Sequence, residues 1–229
     1  MGLTSDSRKL TQTEKAYAAL KKAILRGEIE VGVFLSESDI KQRYGIGRTP
    51  YREACNRLHH ERLLEVVPRR GYLVPEVSYQ AVNAIFETRL ILEAANAELA
   101  CVRATVQDLD DLERLAGRPS QSGDPEKDFL GLIQANTDFH LRLAKTTRNR
   151  ELVELLTRNL EKTERLMHIE LRSSRFRENE FQFLHTRIVD ALRTRDPQRA
   201  REAVLDDISE AQRTTLSFGK NSLASAPHR

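Results

Sequence analysis

The sequence predicts a mainly α-helical chain in two parts: a small N-terminal unit of helices closed by a β-hairpin, then an all-α bundle. Three observations predict this. Between Leu35 and Val74, two helical patterns meet at a Gly45-Ile46 turn, and two β-rich runs follow around Pro68-Arg69-Arg70-Gly71. From about Ser78 onward the apolar periodicity is helical, with no further strand pattern. The charge is also uneven. Residues 1–75 hold 14 Lys/Arg against 9 Asp/Glu, a balance of +5, whereas the remainder holds 23 against 25, a balance of −2. A basic unit joined to a near-neutral one suits a nucleic-acid module attached to a domain with another task.

Taken in order, residues 1–9 lack apolar periodicity and are expected to form a mobile arm. Tyr17, Leu20, Ile24 and Leu25 recur at helical steps, and Gly27 is expected to stop that helix. Ile29 to Phe34 reads as a connector with a small strand. Ser36 stands where an N-cap belongs, with Asp39 three residues later. Ile40 and Tyr44 form the apolar face, and Gly45 can take the left-handed conformation that ends the helix. A second helix is expected from Gly47 or Arg48 to Arg62, with Pro50 in its first turn, where a missing amide does no harm. Leu64 to Val67 and Tyr72 to Val74 are the hairpin strands, and Val77 to Gln80 the linker. Residues 10–75 and 80–218 are thus expected to be separate domains.

In the second part, Ala81 to Arg103 carries apolar residues at Ile85, Leu92 and Leu99, and Thr105 is expected to cap the next helix. Gly117 to Asp128 is the most polar, Gly/Pro/Ser-rich stretch and reads as a loop. Helices are expected at about 128–147, 149–173, 177–195 and 197–216, with a disordered polar tail from Gly219.

Composition narrows the function. Hydrophobic content of 39% with 31% mixed charge fits a chain able to bury cores. There is no spanning apolar run and no signal-peptide pattern at the N-terminus. Two cysteines, Cys55 and Cys101, form neither a disulfide framework nor a metal-type spacing, so a reducing cytoplasm is the simplest setting.

Two helices across a tight turn, followed by a basic hairpin, are the plan of a winged helix-turn-helix. Such a pair places the N-terminal end of its second helix in the DNA major groove. There Arg48 and Arg52 lie four apart and emerge from one face, each able to pair with guanine or clamp a phosphate. Thr49 can bond a phosphate or touch a thymine methyl. In the wing, Arg69 and Arg70 are placed for the minor groove or flanking phosphates, and Gly71 lets the backbone approach. The helix-turn-helix spans Ser36 to Cys55.

From Gln12 to Val74 the chain resembles the DNA-binding domain of the GntR family of bacterial transcription regulators. The resemblance rests on the SESDI entry, the GIGRTPYREA turn and helix, and the RLLEVVPRRGYLV wing. It implies base and phosphate contacts at Arg48, Thr49, Arg52, Arg70 and Gly71. One departure is Ser38, where family members often place another phosphate-binding arginine.

A second constellation lies in the helical part. Asn136 and His140 are four apart and share a helix face, His185 sits on a later helix, and Asp207 lies 22 residues beyond it. Two imidazoles, a carboxylate and an amide oxygen can make a mixed N/O site for zinc, nickel or manganese. Spacing alone favours ordinary core or surface residues instead. Residues from about 80 to 216, however, resemble the FCD ligand-binding domain of the FadR branch of the same family, through Glu87-x-Arg89-x-x-x-Glu93, Phe139-His140 and His185. In many such domains an acid, the Phe-His histidine and two later histidines bind a metal beside the effector. Here Asn136 replaces the usual acid, and Asp207 the last histidine. Arg89 can bind a carboxylate effector through its fork or pair within the helix with Glu93; the residues leave both open.

The reading that covers both parts is a sequence-specific DNA-binding regulator, a repressor by family expectation. It would be a homodimer on a palindromic operator, controlled by a small organic acid, with a divalent metal in the second domain. Two alternatives are an architectural DNA-binding dimer without effector and a metal-dependent hydrolase. The hydrolase reading finds no His-Glu-x-x-His, nucleophile elbow or phosphate loop.

Overall fold

The computed structural model describes residues 10–117, 122–172 and 184–223. The chain divides into two compact units, Met1–Glu76 and Val77–Arg229. The arm expected over residues 1–9 lies outside the described residues.

In the first unit, α1 (Gln12–Leu25) starts with a capping box in which Thr11 and Glu14 satisfy each other's backbone amides. Its buried face is Ala16, Leu20, Ala23 and Ile24; Tyr17 and Leu25 are only partly covered. The strand expected in the connector is β1 (Phe34–Leu35). Helix α2 (Glu37–Tyr44) is capped by Ser36, which accepts from the Asp39 amide, and ends at Gly45 with φ 67°. Helix α3 (Arg48–His60) buries Tyr51, Ala54, Cys55 and Leu58 against α1. It stops two residues short of Arg62, which takes a left-handed φ of 60° and so turns the chain. Strands β2 (Glu65–Val67) and β3 (Gly71–Leu73) pair with β1 in an antiparallel sheet of order β1-β3-β2. Val66 stands opposite Tyr72, and Leu35 also opposite Tyr72. The hairpin closes with the Arg70 amide donating to the Val67 carbonyl at 3.0 Å; Pro68 fixes the first corner and Arg69 adopts φ 66° at the second.

In the second unit, α4 (Tyr79–Arg103) is followed by α5 (Val106–Ala116), α6 (Pro125–Thr146), α7 (Arg150–Arg172), α8 (His185–Arg193) and α9 (Pro197–Leu223). Helix α9 runs antiparallel along α4, since Gln212 reaches Asn83 at 3.1 Å and Arg201 reaches Glu98 at 2.8 Å. Helices α6 and α7 complete the packing around α4, while α5 and α8 close the side. Thr105 caps α5 through a box with Asp108.

One helix face and three boundaries differ from the sequence reading. The deep face of α4 is not Ile85, Leu92 and Leu99 but Val82, Phe86, Arg89, Glu93, Asn96, Ala97, Ala100 and Cys101. Arg89, Glu93, Asn96 and small residues share that face with Val82 and Phe86, so apolar periodicity does not mark it. Helix α6 starts at Pro125 inside the expected loop, because Asp124 accepts from the Lys127 amide and Pro125 fills the first helical position. Helix α8 starts at His185; the upstream part of the helix expected over 177–195 falls largely outside the described residues. Helix α9 continues to Leu223, past Gly219, because one glycine inside a helix costs only about 1 kcal/mol.

Candidate functional site

Within the first unit, the exposed side of α3 is an arginine-rich face. Arg48, Thr49 and Arg52 are all exposed, and Arg48 pairs with Glu37 at 3.6 Å. Gly47 precedes the helix without a side-chain cap, so its first-turn amides face outward with the positive end of the dipole. The opposite side is held by side-chain bonds to α1. Thr13 donates to Glu53 at 2.6 Å, and Lys21 pairs with Glu61 at 3.0 Å. The Arg57 guanidinium lies 3.8 Å from the Tyr17 ring centre. Tyr51 donates to the Leu35 carbonyl at 2.8 Å, which fixes α3 to β1.

The wing stands beside this face. Arg69, Arg70 and Gly71 are exposed, and the Arg70 guanidinium stacks over Phe34, 4.0 Å from its ring centre. Gly71 has φ 99°, with open space where a Cβ would sit, so backbone conformation rather than crowding requires glycine there. Tyr72 packs edge-on against Tyr51 and donates to Asn56 at 2.7 Å, tying the wing strand to α3. The sequence reading missed this tie, because neither residue type signals a contact with the other. Ser38 is exposed, within 2.6 Å of the Ser36 hydroxyl.

The second unit buries a polar chain at its centre. Arg89 donates from Nε to Glu93 at 2.7 Å, so the i,i+4 pair, one of the two readings left open, forms, with both side chains about 1% exposed. The other Glu93 oxygen meets His140 Nδ1. His140 Nε2 lies 3.4 Å from Asp207 Oδ2, and the other Asp207 oxygen accepts from the Leu184 amide at 2.7 Å. The His185 ring stacks on Phe139, with centres 4.0 Å apart and planes 8° from parallel, and stands edge-on to His140. The ligating atoms of His140, His185 and Asp207 all lie within 4.8 Å of one another, and all three residues are buried. Asn136 is buried on α6, one turn before His140.

The electrostatics of this centre prepare two of the three candidate ligands for a cation. Burial, then the neighbouring His140, push His185 down to about 3, leaving a neutral imidazole. Burial alone would raise the Asp207 carboxyl, but His140, His185 and the Leu184 amide outweigh it and hold it at about 2. Burial likewise opposes a charged His140, yet Glu93 and Asp207 outweigh that and raise it. Glu93 is held below its usual value because Arg89 and His140 override its burial. One neutral imidazole and one ionised carboxylate are in the protonation states that a metal needs, whereas His140, whose charged form is favoured, must release a proton to ligate. Glu93 on the far nitrogen of His140 is the type of partner that orients a metal-ligating histidine. The residues present therefore fit a divalent ion. Glu93 was visible in the sequence only as a partner for Arg89. Its contact with His140 spans 47 residues of sequence and carries no local signal.

Comparison with known proteins adds the family. Residues 12–74 match the model for bacterial regulatory proteins of the gntR family, and residues 84–210 match the FCD domain. The chain belongs to the GntR family and carries an FCD domain. This GntR-family protein is a transcriptional regulator, not an enzyme. It is 30% identical over 212 residues to the Uxu operon regulator of Haemophilus influenzae, covering 81% of this chain and 74% of that one. It is 29% identical over 140 residues to the regulator YdhC of Bacillus subtilis, covering 61% of this chain and 62% of that protein. Its fold matches McbR/YncC of E. coli at a TM-score of 0.71, with 20% identity over 93% of this chain and all of the other. A GntR regulator from Rhodococcus sp. RHA1 matches at 0.72, with 22% identity over 91% and 99%. Among the described residues no helix is long and apolar enough to cross a membrane.

Proposed function

We propose that this regulator is a homodimeric repressor whose grip on a palindromic DNA operator is controlled by a small organic acid. Arg48, Thr49 and Arg52 would read the major groove, with Arg69, Arg70 and Gly71 on the adjoining minor groove or phosphates. Arg89 would receive the effector's carboxylate: its Nε is held by Glu93, while its buried Nη2 has no hydrogen-bond partner among the described residues. His140, His185 and Asp207, with Asn136 beside them on α6, would hold a divalent ion such as zinc, nickel or manganese. When bound, that ion would supply a fixed positive charge for an anionic ligand. Effector binding would then favour one arrangement of the DNA-binding units over another.

The observation that carries this reading is the buried cluster of His140, His185 and Asp207. A unit serving only to join two DNA-binding heads has no use for so much buried charge, and burying it is costly. The test is metal analysis and thermal shift on the purified protein, with and without chelator, against a panel of organic acids. Metal bound in proportion to protein, lost in His140→Ala, together with stabilisation by an acid, supports the reading. Metal content unchanged by His140→Ala refutes the ligand set. No response to any acid or metal favours an architectural dimer.

A further inference from the structure

The polar centre leaves one side chain that nothing above uses. Asn96 lies on α4, is 0% exposed, and neither its Nδ2 nor its Oδ1 has a hydrogen-bond partner among the described residues. An amide can donate twice and accept twice, and burying it with neither atom paired is among the costlier things a core can do. The neighbours of Asn96 on the buried side of α4 are Ala94, Ala97 and Ala100, so alanine would continue the run. Asn96 also shares a face with the site. Arg89 and Asn96 are seven residues apart, two turns and about 10 Å along the axis, with Glu93 between them. Glu93, the partner of Arg89, lies three residues before Asn96, so the three residues share one face of α4.

We infer that Asn96 is a specificity-determining residue of the effector site, and that the effector is a short hydroxylated carboxylate whose hydroxyl both donates to and accepts from the Asn96 amide while its carboxylate meets Arg89. This rests on the carboxylate-sensing reading and narrows it. A plain aliphatic acid would satisfy Arg89 but leave Asn96 unpaired, and a site built to bond a hydroxyl rejects the analogue that lacks it.

The test uses the full-length protein and matched probe pairs by isothermal titration: propionate with lactate, butyrate with 3-hydroxybutyrate, and succinate with malate. In at least one pair the wild type should bind the hydroxylated member about ten-fold tighter or more. Asn96→Leu should remove that preference and leave affinity for the plain acid within about two-fold, because Arg89 is untouched. Asn96→Ala, which packs into the same alanine run, should behave alike and guards against a misfolded leucine variant. Equal binding of both members of every pair to the wild type, or a preference that survives in both variants, overturns the role of Asn96 and leaves carboxylate sensing intact. A crystal structure with a hydroxy acid bound and only water against Asn96 also overturns it. If no carboxylate binds the wild type, with or without added zinc, the sensing reading itself falls and this inference falls with it.

Discussion

Asp108 offers a test of how the helical unit holds its shape. It completes the capping box of Thr105 at the start of α5, and its two oxygens take four bonds. One oxygen accepts from the Thr105 amide and hydroxyl at 2.8 and 2.9 Å and from Arg148 at 2.7 Å; the other accepts from Arg142 at 2.7 Å. Arg142 lies on α6, two residues past His140, and Arg148 follows the same helix, so Asp108 braces the helix that carries part of the candidate metal centre. Burial alone would raise its carboxyl, but the Thr105 amide, then Arg148 and Arg142, hold it well below the usual carboxylate range. Asp108→Ala removes a cap worth about 1 kcal/mol and charge-assisted bonds worth about 1.5–3 kcal/mol. The sum is about 3 kcal/mol, or a drop in Tm of about 6–12 °C for a unit of this size. Differential scanning calorimetry of the wild type and of Asp108→Ala and Asp108→Asn reads it. Because the folded carboxyl is depressed, its contribution is complete above the unfolded value near 4 and fades as pH falls toward the folded one. The gap between wild type and Asp108→Asn should therefore be widest at neutral pH and close on going below pH 4. A gap independent of pH, or an Asp108→Asn variant as stable as wild type at pH 7, would refute the account.

Other outcomes are open to direct measurement. Arg48→Ala and Arg52→Ala should each weaken binding to an operator selected from random DNA by about 1–3 kcal/mol, roughly five- to 150-fold, with Tm unchanged. Unaltered gel-shift affinity in both would remove α3 as the reading helix. Tyr72→Phe deletes only the bond to Asn56, so it should weaken protection of the wing-contacted bases in a footprint more than that of the major-groove bases. Equal protection of both would deny the wing tie a part in DNA reading. Both cysteines are fully buried, and burial pushes the Cys55 thiol up to about 12, so neither should react with a thiol reagent until the protein unfolds. Fast labelling of the native protein would contradict that packing.

What could be read from the sequence depended on how local the physics was. The caps at Ser36 and Thr105, the Gly45 stop and the hairpin turn were legible because each is settled within four residues. The start of α6 was equally local, but Asp124-Pro125 sits in a stretch whose Gly, Pro and Ser content reads as loop. The buried face of α4 was misread for a different reason. Hydrophobic periodicity finds a face by its large apolar residues, and here the deepest positions hold Arg89, Glu93 and Asn96 among alanines. A helix that turns charge inward looks rotated from its sequence. The contacts that assemble the centre, from Glu93 to His140 and from His140 to Asp207, join α4, α6 and α9. Only the fold brings those helices together.

The same contacts bear on the two departures in the proposed ligand set. Resemblance to other FCD domains sets an acid where this chain has Asn136 and a histidine where it has Asp207. Exchanging both moves the carboxylate from α6 to α9 rather than removing it, so the set keeps one negative charge. The new position is built to keep that charge: the Leu184 amide, one residue before His185, donates to one oxygen and leaves the other toward His140. Against its burial, His140, then His185 and that amide, hold Asp207 ionised, and the turn that introduces the second histidine aims it. An aspartate placed there without His140, His185 and that amide would carry the full penalty of its burial and tend to neutralise. Asp207→Asn tests this directly. It keeps the shape but forfeits the charge, so it should lose bound metal as completely as His140→Ala, whereas Asn136→Ala, which alters only a neutral amide, should lose less. If Asn136→Ala strips the metal and Asp207→Asn retains it, the carboxylate on α9 is not the one that holds the ion.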